Sequence, residues 1–84
     1  MDVDESRLAR SEKGKSVVVD GYRFEIKIYR PENQNPWTLE IVDFRDASYV
    51  WDDKFSSDQE AFDVAVEVLY HEGAVGFMAM SQKP

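Results

Sequence analysis

Cysteine is absent from this chain, and histidine occurs once, at His71. The first absence excludes disulfide frameworks, thiolate nucleophiles and cysteine-ligated zinc together. The second leaves acid–base chemistry near neutral pH a single imidazole. Glycine occurs four times, and the glycines are not arranged as a phosphate cradle. The nucleophile-elbow, dinucleotide, kinase and zinc signatures are missing as well. No run approaches the roughly 18 apolar residues of a membrane span, and the N-terminus has no signal-peptide core. A cytoplasmic protein with no membrane contact is therefore expected. Bases are scarce too: 10 Lys+Arg stand against 17 Asp+Glu, a formal net charge of −7.

The placement of that charge matters. Residues 1–15 carry Asp2, Asp4, Glu5 and Glu12 against Arg7, Arg10, Lys13 and Lys15, which cancel. The rest of the chain therefore holds the whole excess. An acidic domain is repelled by phosphate backbones, which argues against nucleic acid as a partner.

What is present is one small domain's worth of core. Hydrophobic residues make up 43% of the 84-residue chain and aromatics 13%, too much for a disordered chain. Residues 1–15 are polar and lack periodicity, and read as a disordered arm. A short helix over residues 5–12 that forms on binding is a secondary expectation there. The folded domain is expected over 16–80, with a frayed end at 81–84.

Within it, Ser16–Val19 is a short β-branched run followed by Asp20-Gly21. That pair between two strand-like runs signals a type I′ hairpin turn. Residues 22–30 then alternate, with Tyr22, Phe24, Ile26 and Ile28 on one face and Arg23, Glu25, Lys27 and Tyr29 on the other. Turn formers fill 31–36. A third strand is expected over 37–43 and a fourth over 48–53, where Tyr49 and Trp51 share a face. Ser57 with Glu60 fits a capping box, Asp58 suits the positive first turn, and Gly73 suits the C-terminal stop. Between them Phe62, Ala65, Val66 and Leu69 line one face. Residues 74–80 are apolar, and either an extended tail or a last helical turn fits them. The expected fold class is α+β: a four-stranded antiparallel meander (β-β-β-β-α) with one C-terminal helix on one face. Its core is expected from Phe24, Ile26, Leu39, Ile41, Trp51, Phe62, Ala65, Val66 and Leu69.

The candidate sites are surfaces. His71 reads as an ordinary last-turn residue, since no partner for a general base or pH sensor is legible. Asp43, Asp46, Asp52, Asp53 and Asp58 lack the Asp-x-Asp-x-Asp-Gly spacing of a calcium loop and read as turn and capping residues. No catalytic residue, metal or cofactor is expected. Trp37, Trp51, Tyr22, Tyr49 and Phe24 read as core packing, because a base-stacking platform comes with a cationic groove. The helix has acids and no Lys or Arg. That pattern serves solubility, and it offers Asp63 and Glu67 to a basic protein partner. Val64 and Val68 lie off the main stripe. Either they self-associate or Val75, Phe77 and Met78 fold over them. Val17, Val18 and Val19, with Val42 and Val50, pose the same question for the sheet. Together these give the expectation of a homodimer with Asp63, Val64, Glu67, Val68, Val17 and Val18 as interaction residues.

The run Trp37-Thr38-Leu39-Glu40-Ile41-Val42-Asp43, then Val50-Trp51-Asp52, Phe55, Asp58 and Glu72-Gly73, resembles small acidic bacterial proteins that share this packing pattern. The resemblance covers residues 17–80 and implies a fold and a bacterial cytoplasmic setting, with no activity attached. The strand order also resembles the sheet-plus-helix half of HicB-type antitoxins, where strand and helix order differ. The function expected is a small non-enzymatic protein-interaction or regulatory module. The alternative is a nucleic-acid-associated regulator using Arg7, Arg10, Lys13 and Lys15 of the arm with Arg23, Lys27 and Arg30.

Overall fold

The computed structural model describes residues 8–81. It is an α+β fold: a five-stranded antiparallel sheet with one C-terminal helix packed on one face. The strands are β1 (Leu8–Arg10), β2 (Ser16–Val19), β3 (Tyr22–Pro31), β4 (Thr38–Val42) and β5 (Ser48–Val50), followed by α1 (Asp58–Ser81). β2 to β5 form the expected meander.

The disordered arm expected over 1–15 is corrected where it is described. Leu8–Arg10 is a strand, paired antiparallel with the far end of β3. The short helix considered over 5–12 is excluded there as well, and residues 1–7 and 82–84 lie outside the described residues. β1 and β2 share one edge of β3. Ala9 pairs with Arg30, whereas Val17 pairs with Phe24, so residues 11–15 are a bulge that puts two extra residues on the β1–β2 side. Ser11 and Lys15 anchor its ends to Ile28 and Ile26 by backbone hydrogen bonds of 2.9 and 2.8 Å. Gly14 crosses so near β3 that a Cβ there would stand 2.8 Å from the Ile26 carbonyl oxygen.

The Asp20-Gly21 turn forms as the residue types require, with φ of 54° and 83°. Asp20 has a second role that sequence reasoning missed. Its Oδ2 accepts a hydrogen bond from the Ala74 backbone N–H at 3.0 Å. α1 breaks at Gly73, where φ is 76° and ψ is 170°, a region open to glycine and little else. The chain then resumes a helical course over 74–81. Residues 74–80 are thus helical, and Asp20 caps this second arm from the hairpin turn.

The first arm begins as expected. Ser57 Oγ accepts from the Glu60 N–H at 3.1 Å, and the Glu60 carboxylate reaches back to Ser56. The buried stripe is rotated from the expected one. Ala61, Ala65 and Leu69 are fully buried at its centre, with Phe62 and Val66 half-buried on one flank and Val64 and Val68 on the other. Small alanines at the contact let the helix axis come close to the sheet, so the larger side chains splay to both sides. Below them lie Phe24, Ile26, Ile28, Leu39 and Ile41. Phe77 of the second arm completes the core, edge-on to Phe24 at 5.7 Å and stacked beside Trp51 at 6.4 Å.

Candidate functional site

The helix covers one face of the sheet and leaves the other open. Strand alternation places Arg10, Ser16, Val18, Arg23, Glu25, Lys27, Tyr29, Glu40, Val42, Ser48 and Val50 on that open face. The surface is charge-mixed. Lys27 stands opposite Glu40, and Ser16 opposite Glu25. Tyr29 Oη donates to Glu40 Oε1 at 3.1 Å, and Ser48 Oγ donates to the other carboxylate oxygen. Burial raises the Tyr29 phenol, the Glu40 carboxylate raises it further, and Arg10 opposes them. A shallow groove between Ser16, Arg23, Glu25, Val42 and Phe44 runs across this face. Phe44 of this groove also packs against Tyr22, whose alternation sets it on the helix side, with ring centroids 5.1 Å apart.

The β4–β5 turn is held by Asp43, a carboxylate almost wholly buried. Its Oδ1 accepts from the Arg45 and Ala47 N–H groups at 2.8 and 3.0 Å, and its Oδ2 meets the Arg45 guanidinium at 2.6 Å. This is turn chemistry, as the aspartate pattern suggested. Burial alone would raise the Asp43 carboxyl; the Arg45 guanidinium and the two backbone N–H groups outweigh it and hold the group below its ordinary value of 3.8. A depressed folded pKa gives stability that is complete above the unfolded value and is lost as pH falls through the folded one. Asp43→Ala is expected to cost about 1–3 kcal/mol at neutral pH, because two N–H groups lose their acceptor. Urea midpoints of wild type and Asp43→Asn should converge only at acid pH, below the ordinary carboxylate range. A gap that stays constant down to about pH 2 would show that ionisation of Asp43 contributes nothing.

The residues of the predicted interaction surface do not form one patch. Asp63 and Glu67 are exposed on the outer side of α1, and Asp63 accepts from the Gln59 amide at 2.8 Å. Val64 and Val68 are half-buried against the core, as is Val17. Val18 is 63% exposed. His71 is exposed, with Nδ1 3.5 Å from Glu72.

The bases of the nucleic-acid reading are dispersed. Arg7 lies outside the described residues. Arg10, Arg23 and Lys27 share the open face with Glu25 and Glu40 between them. Lys15 lies over the Phe62 ring at 5.4 Å on the helix side. Arg30 faces the helix side as well, away from Arg10, Arg23 and Lys27. Its guanidinium sits over Trp37 at 4.9 Å and donates to the Pro31, Glu32 and Gln34 carbonyls, which shapes the β3–β4 loop. Of the five aromatics, Phe24 is fully buried, and Tyr49 and Trp51 pack on Phe77.

A second shallow groove lies between Arg30, Trp37, Lys54 and Phe55, where Trp37 and Phe55 exchange backbone hydrogen bonds of 2.7 and 2.9 Å. Among the described residues, no three or more His, Cys, Asp or Glu side chains are placed to hold a metal ion. Among those same residues, no helix is long and apolar enough to cross a membrane. No family model matches the chain, and neither a curated protein nor a solved structure matches it.

Proposed function

We propose that this chain is a small non-enzymatic protein-interaction module that works as a homodimer. The observation that carries the reading is the distribution of exposed apolar side chains. Among the described residues, Leu8, Val18, Tyr22, Phe44 and Val50 belong to the sheet and its turns, a layer that the helix covers from one side only, while Tyr70 and Val75 are exposed on α1. Apolar groups left on a sheet are an association surface in solution. A symmetric partner would cover part of this surface, and the acidic outer side of α1 would stay in solvent and keep the assembly soluble. Sedimentation at tens of micromolar is expected to give a mass near twice the 9.7 kDa of the chain. A chain that sediments as a monomer at that concentration overturns the reading.

The outer side of α1 supports a second binding role, toward a basic protein. Asp58 and Glu60 are engaged with Ser11 and Ser56. Asp63, Glu67 and Glu72 lie on a helix without Lys or Arg, where Asp63 meets only the neutral Gln59 amide and Glu72 stands beside His71. The net charge of −7 and the scattered bases weigh against the nucleic-acid alternative, in which affinity would fall steeply with salt.

A further inference from the structure

The two edges of the sheet are treated differently. β5, at one edge, is three residues long and is flanked by Asp46, Asp52 and Asp53. A second copy pairing there would bring these acids together, so the edge is guarded by charge. β2, on the other edge, is Ser-Val-Val-Val with no charge inside it. The bulge at 11–15 breaks that edge before β2 begins and leaves β2 in unbroken register with β3.

The hydrogen-bond alternation of β2 fixes what it offers. Val17 and Val19 pair with Phe24 and Tyr22, and the Ile26 N–H donates to the Lys15 carbonyl at 2.8 Å. The odd-numbered residues therefore turn their backbone groups to β3. Ser16 and Val18 turn theirs outward.

We infer that a second copy of this chain docks here, with β2 pairing antiparallel to its counterpart about a two-fold axis at Val18. This rests on the homodimer reading and names the surface for it. In that register Val18 faces Val18, Val17 faces Val19, and Ser16 faces Asp20 of the mate. The sheet then runs unbroken through both copies.

Charge complementarity selects the arrangement. β2 is preceded by a cation, Lys15, and followed by an anion, Asp20. Both lie on the helix side of the sheet, Lys15 over Phe62 and Asp20 against Ala74. Antiparallel pairing brings each Lys15 beside the mate's Asp20, whereas parallel pairing would stack like charges. The register centred on Val18 also keeps the strand pairing within β2 and its turn, with only Lys15, at the end of the bulge, reaching the mate.

Above the strands, the Lys15–Phe62 contact shows which flank of α1 overlooks this edge. Phe62, Val66 and Tyr70 follow one another a turn apart up that flank, from half-buried to 58% exposed. The two-fold axis sets this stripe against its counterpart, so strand pairing and helix contact belong to one isologous interface.

Val18→Pro tests the pairing. The Val18 N–H faces outward, so proline removes a donor to the mate and leaves the β2–β3 ladder intact. The variant should keep the wild-type circular dichroism and sediment as a monomer, while Val50→Pro on the guarded edge should remain a dimer. Lys15→Glu should weaken dimerisation about tenfold. In the wild type, the Ser16 and Val18 amides should gain hydrogen-exchange protection as protein concentration rises. That last measurement decides the matter if Val18→Pro does not fold. A dimer that survives Val18→Pro, or Ser16 and Val18 amides whose exchange ignores concentration, overturns this interface and leaves the dimer itself standing. A wild-type monomer overturns both.

Discussion

Replacing Phe77 by alanine should destabilise the protein by about 3–5 kcal/mol, the range for truncating a buried aromatic. A small domain has about 5–15 kcal/mol in total, so the variant would sit near the edge of folding. The expectation comes from the position of the ring. Phe77 is 1% exposed and meets three aromatic rings of the sheet: Phe24 edge-on, Tyr49 at 5.9 Å, and Trp51 in a near-parallel stack. Among the described residues, Phe77 is the large side chain of the second arm that is fully buried: Ala74 is small, Val75 is 69% exposed and Met78 packs on the core only in part. Urea unfolding followed by tryptophan fluorescence is the natural measurement, because Trp51 reports on the same contact. A loss below about 1 kcal/mol would mean that residues 74–81 only lie on the surface.

Leu69→Ala should cost about 2–5 kcal/mol. Leu69 is fully buried on the first arm of α1, at the end of the stripe that Ala61 and Ala65 begin. Ala65 and Gly73, one turn away on either side, are too small to swell into a cavity, and the strands beneath are fixed by their ladders. The site can therefore relax little, which favours the upper half of the range. Val66→Ala, on the half-buried flank, should cost distinctly less. Equal losses at the two positions would contradict the rotation of the stripe toward Ala61.

Much of this fold was legible because it is local. Asp20-Gly21 announced its turn by the positive φ that both residues adopt. Residues 22–30 announced β3 by their alternation, and Ser57 with Glu60 announced the helix start. These signals act over three or four residues and depend little on what lies further along the chain.

The missed features are long-range. Leu8–Arg10 has no strand pattern of its own; it pairs because the ten-residue β3 outruns the four-residue β2 and leaves an edge to fill. That length difference was the one available clue. The arm at 74–81 is capped by Asp20, 54 residues away, and no local pattern encodes such a partner. The helix stripe was misplaced because large residues were taken to mark its centre, whereas the close approach to the sheet puts alanines there. For the surfaces, Val18 proved exposed as expected, but Val64 and Val68 turned inward with the rotated stripe. Arg30 looked like part of a basic row until its alternation set it on the opposite face from Arg23 and Lys27.

The bulge at 11–15 also sets a rule for the length of this chain. Side chains on a strand alternate with a period of two, and the bulge adds two residues. Leu8 and Arg10 therefore keep the same facing as Ser16 and Val18, as if the two strands were one. Losing a single residue between Ser11 and Lys15 would turn β1 over, carrying the Arg10 guanidinium toward the apolar layer beneath α1 and Ala9 out to the open face. Losing two would restore the facing and yield an ordinary continuous strand. Variation in this segment is thus constrained to even steps, and its length, more than its composition, is what keeps a charged strand on the solvent side of the sheet.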